Sequence, residues 1–230
     1  MKNITKLLMA FLCLGVLFTA CNKDNFDWDA YYRQQEEAIK KEKARQDSLY
    51  KDQAPLLLEY AKQNFKDDAG QANYVVDDST KIIYQVLNPG DKTSYTYKAQ
   101  LGNGGYVITS PSVTINFKGQ LLNGTVFDQS KEGTPTNYSN LSPAINKYGG
   151  AWYYAFIPKV ISQDGRELKF NGLTTSGLVK GSKIRFVAPS YLGFDEKEFK
   201  DGSEKITVPK NTPVAYTIEI TAISTGSGSN

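Results

Sequence analysis

The stretch from Ser112 to Ser130 restricts the possible folds more than any other part of the chain. Val113, Ile115 and Phe117 alternate with Thr114, Asn116 and Lys118, the period of a strand with one buried face. Gly119 breaks the alternation. Asn123-Gly124 is a dipeptide suited to positive φ, so the spacing predicts a reversal there. Phe127-Asp128 then sets an aromatic beside a carboxylate, and the polar run from Gln129 to Thr136 reads as a loop. A strand enters, turns back on itself and carries Phe127 and Asp128 out again.

This pattern resembles the signature of FKBP-type peptidyl-prolyl isomerases. Gly119, Leu121, Asn123, Gly124, Phe127, Asp128 and Ser130 fall in register with it, and Phe117 stands where the family has tyrosine. Lys81 to Gly90 is similar to the family's first strand. Ile184 to Phe194 resembles a later strand and loop, and Val208 to Ile223 the closing strand. Ala151 to Ile161 looks like the segment with Val-Ile-x-Gly-Trp, which leads into the domain's helix, although Gly-Trp is missing after Ile161. The resemblance implies an α+β fold, a twisted antiparallel sheet of about five strands around one short helix. Residues 91–109 and 131–170 carry insertions, the first of them a hairpin turning between Leu101 and Tyr106.

The same resemblance implies prolyl isomerisation. Rotation about an Xaa-Pro bond must cross a barrier of about 18–20 kcal/mol, because the planar amide is resonance-stabilised. No proton moves and no bond breaks. A dry aromatic cup favours the twisted, less polar transition state over the planar amide that water solvates. By resemblance Phe117, Phe127, Val160, Ile161, Phe194 and Tyr216 line that cup. The backbone N–H of Ile161 donates to substrate, and Asp128 sits at the rim. Phe117 and Phe194 lack the hydroxyls of their family counterparts. The tryptophan floor has no clear equivalent, with Phe170 and Trp152 as candidates. The residues alone leave other readings open: the aromatics as ordinary core, and Asp128 as a cap on its own turn. The aromatic run from Lys147 to Phe156 reads either as a lip for peptides or glycans or as a buried strand. A non-catalytic lipoprotein that binds extended peptides or glycans in the cup is the alternative function.

Composition removes competing chemistries. The chain has no histidine, which excludes histidine-based triads, metal sites and proton shuttles. Its two cysteines, Cys13 and Cys21, both precede the region of resemblance, so that region has no disulfide and no thiol nucleophile. No metal and no cofactor is expected. A formal charge of +3, two units of it from Lys2 and Lys6, is too balanced to indicate nucleic-acid binding.

The N-terminus reads as an export leader. Lys2 and Lys6 precede the apolar run Leu7 to Phe18, and Leu17 to Cys21 resembles a bacterial lipobox. Residues 1–20 are expected to be a lipoprotein signal peptide and Cys21 the lipidated first residue, anchoring the protein to the membrane. Location is then the bacterial outer membrane or cell envelope, on either side. Residues 21–75 form a helical stalk, 76–224 the FKBP-like domain and 225–230 a flexible tail. The stalk, rich in helix formers, is either a solvated spacer or a homodimerising helix through residues 27–52. Pro55 is expected to end or kink it, with a second short amphipathic helix following. Proline-containing exported polypeptides are the expected clients.

Overall fold

The computed structural model describes residues 27–200 and 207–226. The expected leader and Cys21 lie outside the described residues, as does most of the expected tail. Helix α1 (Trp28–Asn64) comes first, followed by β1 (Val75–Val76) and β2 (Ile83–Pro89). A hairpin of β3 (Ala99–Gly102) and β4 (Gly105–Ile108) precedes β5 (Pro111–Leu121), which carries the alternating run. After β6 (Val126–Gln129) and β7 (Thr136–Tyr138) come two short helices, α2 (Ser142–Tyr148) and α3 (Gly150–Phe156). A second hairpin, β8 (Val160–Gln163) and β9 (Arg166–Lys169), leads to β10 (Ser182–Ala188). The short pair β11 (Phe199–Lys200) and β12 (Thr207–Val208) and the long β13 (Val214–Thr225) complete the chain.

The main sheet runs β1-β2-β10-β13-β5-β6, antiparallel throughout, with β7 on the far end of β5. The fold is α+β, as the signature implied. Its longest ladder joins β5 to β13, from Pro111 opposite Thr225 to Leu121 opposite Val214. One bulge interrupts it between Ile220 and Ala222, and there Thr221 Oγ1 donates to the Thr114 carbonyl at 2.9 Å.

Strand alternation decides which residues meet. Val113, Ile115 and Phe117 of β5 share the buried inner face with Ile184 and Phe186 of β10 and with Tyr216, Ile218 and Ile220 of β13. Helices α2 and α3 fill that face with Ala144, Tyr148, Trp152 and Phe156. Each large apolar side chain so buried contributes about 1.5–3 kcal/mol. On the outer face Ile83, Val187 and Ala215 are covered by Leu57, Tyr60 and Ala61 of α1 and by Phe65. The sheet therefore lies between the two short helices and the C-terminal part of α1. Contacts divide the chain after Arg45. In the N-terminal unit Trp28, Tyr32 and Ile39 are exposed.

Two expectations need correction. Pro55 neither ends α1 nor starts a new helix, because α1 is continuous through it. Proline removes one backbone donor and crowds the preceding turn, but side chains on both sides of it are anchored, Gln53 to two loops and Leu57 to the sheet. Gln53, 6% exposed, donates from Nε2 to Ser190 Oγ at 2.8 Å and to the Asn211 carbonyl at 3.0 Å, and accepts from the Ser190 N–H at 2.9 Å. Leu57 is fully buried beyond it. The second correction is that the domain's helical segment precedes Val160-Ile161 instead of following it. Residues 162–170, read as an insertion turning at Asp164-Gly165, do form such a turn, in the β8–β9 hairpin, with Asp164 at φ 52° and Gly165 at φ 72°.

Gln53→Ala strips partners from the buried Ser190 N–H and hydroxyl. The expected cost is about 1–3 kcal/mol, measured as a lowered urea midpoint with an unchanged slope.

Candidate functional site

Gly119 sets the floor plan. It lies opposite Tyr216 across the β5–β13 ladder. A Cβ placed there would come within 2.7 Å of the Phe127 ring and 2.9 Å of the Tyr216 ring. The bare backbone therefore lets both rings lie against the strand, centroids 5.7 Å apart and edge to face. Beyond Gly119 the chain reverses through Leu121 to Thr125, where Gly124 has φ 88° and the Thr125 N–H donates to Asn123 Oδ1 at 3.0 Å. This is the reversal expected at Asn123-Gly124, and it returns Asp128 to the position opposite Gly119. Ser130 fixes the end of the signature: its hydroxyl accepts from the Phe117 N–H at 3.1 Å and donates to the Ile115 carbonyl at 3.2 Å.

Aromatic rings converge on this point from four directions. Phe117 lies 5.4 Å from Tyr148 and 5.3 Å from Trp152, and Tyr148 stacks on Trp152 at 4.3 Å. Tyr216 meets Trp152 edge-on at 5.6 Å, and Phe194 meets Phe127 at 5.5 Å. Trp152 Nε1 and the Tyr216 hydroxyl are buried, with no hydrogen-bond partner among the described residues. Burial pushes the Tyr216 hydroxyl well above the usual tyrosine pKa, so it keeps its proton. The Tyr216 hydroxyl and Trp152 Nε1 are near enough to affect each other, the indole lowering the tyrosine pKa that burial raises, but they fall short of a well-formed hydrogen bond.

Asp128 marks the rim. One oxygen accepts from the Gln129 N–H at 2.9 Å, the local turn cap that the residue type allows. The other accepts from Lys147 Nζ at 2.7 Å and from the Tyr148 hydroxyl at 2.8 Å. Burial and then the bond to Asp128 raise the Tyr148 pKa far above its normal value, which holds this hydroxyl as a donor. Phe117 cannot supply a hydroxyl, and Tyr148 offers one to the carboxylate from the opposite wall.

A further ring stands at the bowl. Phe199 of β11 stacks on Phe194 at 4.5 Å and 23°, and lies 5.6 Å from Phe127 and 6.4 Å from Tyr148. Lys147 Nζ sits 5.6 Å over its face. A hollow of about 540 Å³ adjoins the signature strand, lined among others by Asn116, Phe117, Lys118, Ser130, Thr217 and Glu219.

Of the residues expected at the site, Phe117, Phe127, Asp128, Phe194 and Tyr216 come together. Val160 and Ile161 do not. Ile161 is in register with Leu168 in the β8–β9 hairpin and packs in a separate cluster with Tyr97 and Ala99. The Tyr97 hydroxyl donates to the carbonyls of Phe156 and Leu178, and Gln163 pairs with both backbone groups of Ala99, which ties the two hairpins together. Phe170 joins that second cluster, whereas Trp152 belongs to the cup. The run from Lys147 to Phe156 is neither lip nor strand; it is helical wall, with Tyr148, Trp152 and Phe156 buried. Gly149 (φ 91°) separates α2 from α3, and a Cβ there would strike the Gly193 carbonyl, next to Phe194.

Sequence reading missed Ile145, Lys147 and Tyr148, although a signal was present. Ala144, Ile145 and Tyr148 have the spacing of Val-Ile-x-Gly-Trp, with Lys147 at the glycine and Tyr148 at the tryptophan. The Ile145 N–H, placed there, is already committed to the Leu141 carbonyl at 2.9 Å.

Three solved structures are similar in fold. FkpA from Escherichia coli is 18% identical, the match covering 98% of this chain and 82% of that one at a TM-score of 0.46. A peptidyl-prolyl cis-trans isomerase from Pseudomonas syringae pv. tomato is 16% identical, over 77% and 95%, at 0.45. AtFKBP13 is 16% identical, over 66% and 99%, at 0.44. No family model matches the chain. No curated protein matches it. What makes the fold FKBP-like is the chain's own geometry: an antiparallel sheet, seven-stranded where about five strands were expected, packed over the short helices α2 and α3, with Gly119, Phe127 and Asp128 at one aromatic bowl.

Gly119→Ala forces Phe127 and Tyr216 off the strand. It is expected to destabilise by about 1–3 kcal/mol and to reduce the near-ultraviolet circular dichroism of the packed rings. Tyr148→Phe removes one donor from Asp128 with little change in shape. An unfolding free energy lower by about 1–3 kcal/mol is expected, and Lys147→Ala costs less because its ammonium is half exposed.

Proposed function

We propose that this chain is a peptidyl-prolyl cis-trans isomerase and folding helper of the bacterial cell envelope, held there through lipidated Cys21. Its clients are proline-containing exported polypeptides. The observation that supports this reading is the convergence of Phe117, Phe127, Phe194 and Tyr216 on one bowl with Asp128 at its rim. The chemistry asks only for what such a bowl has. A twisted amide is less polar than a planar one and is favoured against carbon surface. No general base enters the scheme.

One observation favours the non-catalytic reading, a module that binds extended peptides or glycans. Phe199 packs against the Phe194, Phe127 and Tyr148 rings of the bowl, and the Ile145 N–H is spent within its own helix. The two readings part on rate. The chain from Asp24 onward is assayed on short Xaa-Pro-Phe peptides beside a Phe127→Ala, Asp128→Ala double variant. The expected outcome is acceleration above the uncatalysed rate, reduced at least about tenfold in the variant, or about 1.4 kcal/mol of barrier. Background rates on every peptide would leave the binding module.

A further inference from the structure

Phe199 is attached differently from the rings around it. Phe127 and Tyr216 lie on strands of the main sheet, and Tyr148 and Trp152 on helices packed into the core. Phe199 comes from β11, which belongs to a separate two-stranded sheet. Among the described residues the ladder of that sheet pairs Phe199 with Val208 and Lys200 with Thr207. Val208 is fully buried, whereas Phe199 and Lys200 are not. Phe199 is therefore held largely by what its ring touches: the Phe194 face, the Phe127 and Tyr148 rings and the Lys147 ammonium. Those are contacts of the kind an aromatic ligand makes, offset stacking, edge-to-face packing and a cation over the ring.

We infer that Phe199 is an intramolecular competitor, occupying in the resting protein the place that an incoming apolar side chain takes. This deepens the proposed function and rests on it, since it assumes that the bowl is where clients dock. The exchange is nearly even for an aromatic guest, which recovers the contacts that Phe199 gives up. A polar guest recovers none of them and leaves the bowl closed. Apparent affinity is then the intrinsic affinity scaled by the fraction of molecules in which the ring is out. Self-occupancy also covers the Phe194 and Phe127 rings between clients, surface that would otherwise be open to non-specific association.

The test is calorimetric titration of the full chain with the tetrapeptide Ala-Phe-Pro-Phe, comparing wild type with Phe199→Ala, Phe199→Leu and Phe199→Trp. Phe199→Ala is expected to bind about tenfold more tightly. Phe199→Leu should be intermediate and Phe199→Trp no tighter than wild type. The graded series separates ring competition from general loosening, and Phe199→Leu keeps enough apolar volume to report if Phe199→Ala fails to fold. Equal affinity for wild type and the alanine and leucine variants overturns the inference while leaving the bowl as the client site. Absence of binding by every variant overturns the docking assumption itself, and the inference falls with it.

Discussion

A missing methyl group organises the site. At Gly119 the central ladder has backbone and nothing above it, and Phe127 and Tyr216 lie in that space. Any side chain at this point would lift both rings and, with them, the partners they meet edge-on, Phe194 and Trp152. Close packing transmits such a shift, since interiors have few voids to absorb it. The position of Asp128 depends on the same place in the ladder, because the returning strand pairs it with Gly119. One backbone position thus fixes both the depth of the bowl and the location of its carboxylate.

The two faces of the sheet are closed by different means. Inside, α2 and α3 supply large rings, and the break at Gly149 admits the backbone of Gly193 beside them. That close approach positions Phe194. Outside, α1 adds a helix face stitched by Gln53 to the backbone at Ser190 and Asn211, the loops on either side of Phe199. Most buried polar groups in this part are satisfied. The exceptions in the bowl, Trp152 Nε1 and the Tyr216 hydroxyl, are therefore conspicuous.

Much of the sheet was legible because its signals are local. Alternation over Val113 to Phe117, the Asn123-Gly124 reversal and the spacing to Phe127-Asp128 need only neighbours along the chain. The hairpin between Leu101 and Tyr106 was legible for the same reason. What failed depended on partners far away. Pro55 reads as a helix end until Gln53 and Leu57 are seen anchored on either side of it. Val160-Ile161 matched a family dipeptide by composition, but Asp164-Gly165 folds it into a hairpin that Tyr97 holds away from the bowl. Ala144 to Tyr148 has the spacing of the same motif, but Ala144, Lys147 and Tyr148 all depart from its residue types. Phe199 gave no signal, since an isolated aromatic in a charged loop has neither period nor spacing.

The bowl is also uncommon in what it lacks. Histidine is the side chain that ordinarily changes charge between about pH 5 and 8, and this chain has none. The two hydroxyls in the wall, on Tyr148 and Tyr216, hold their protons more tightly than free tyrosine does. The wall therefore presents the same carbon surface and the same donors in mildly acidic and mildly alkaline surroundings alike.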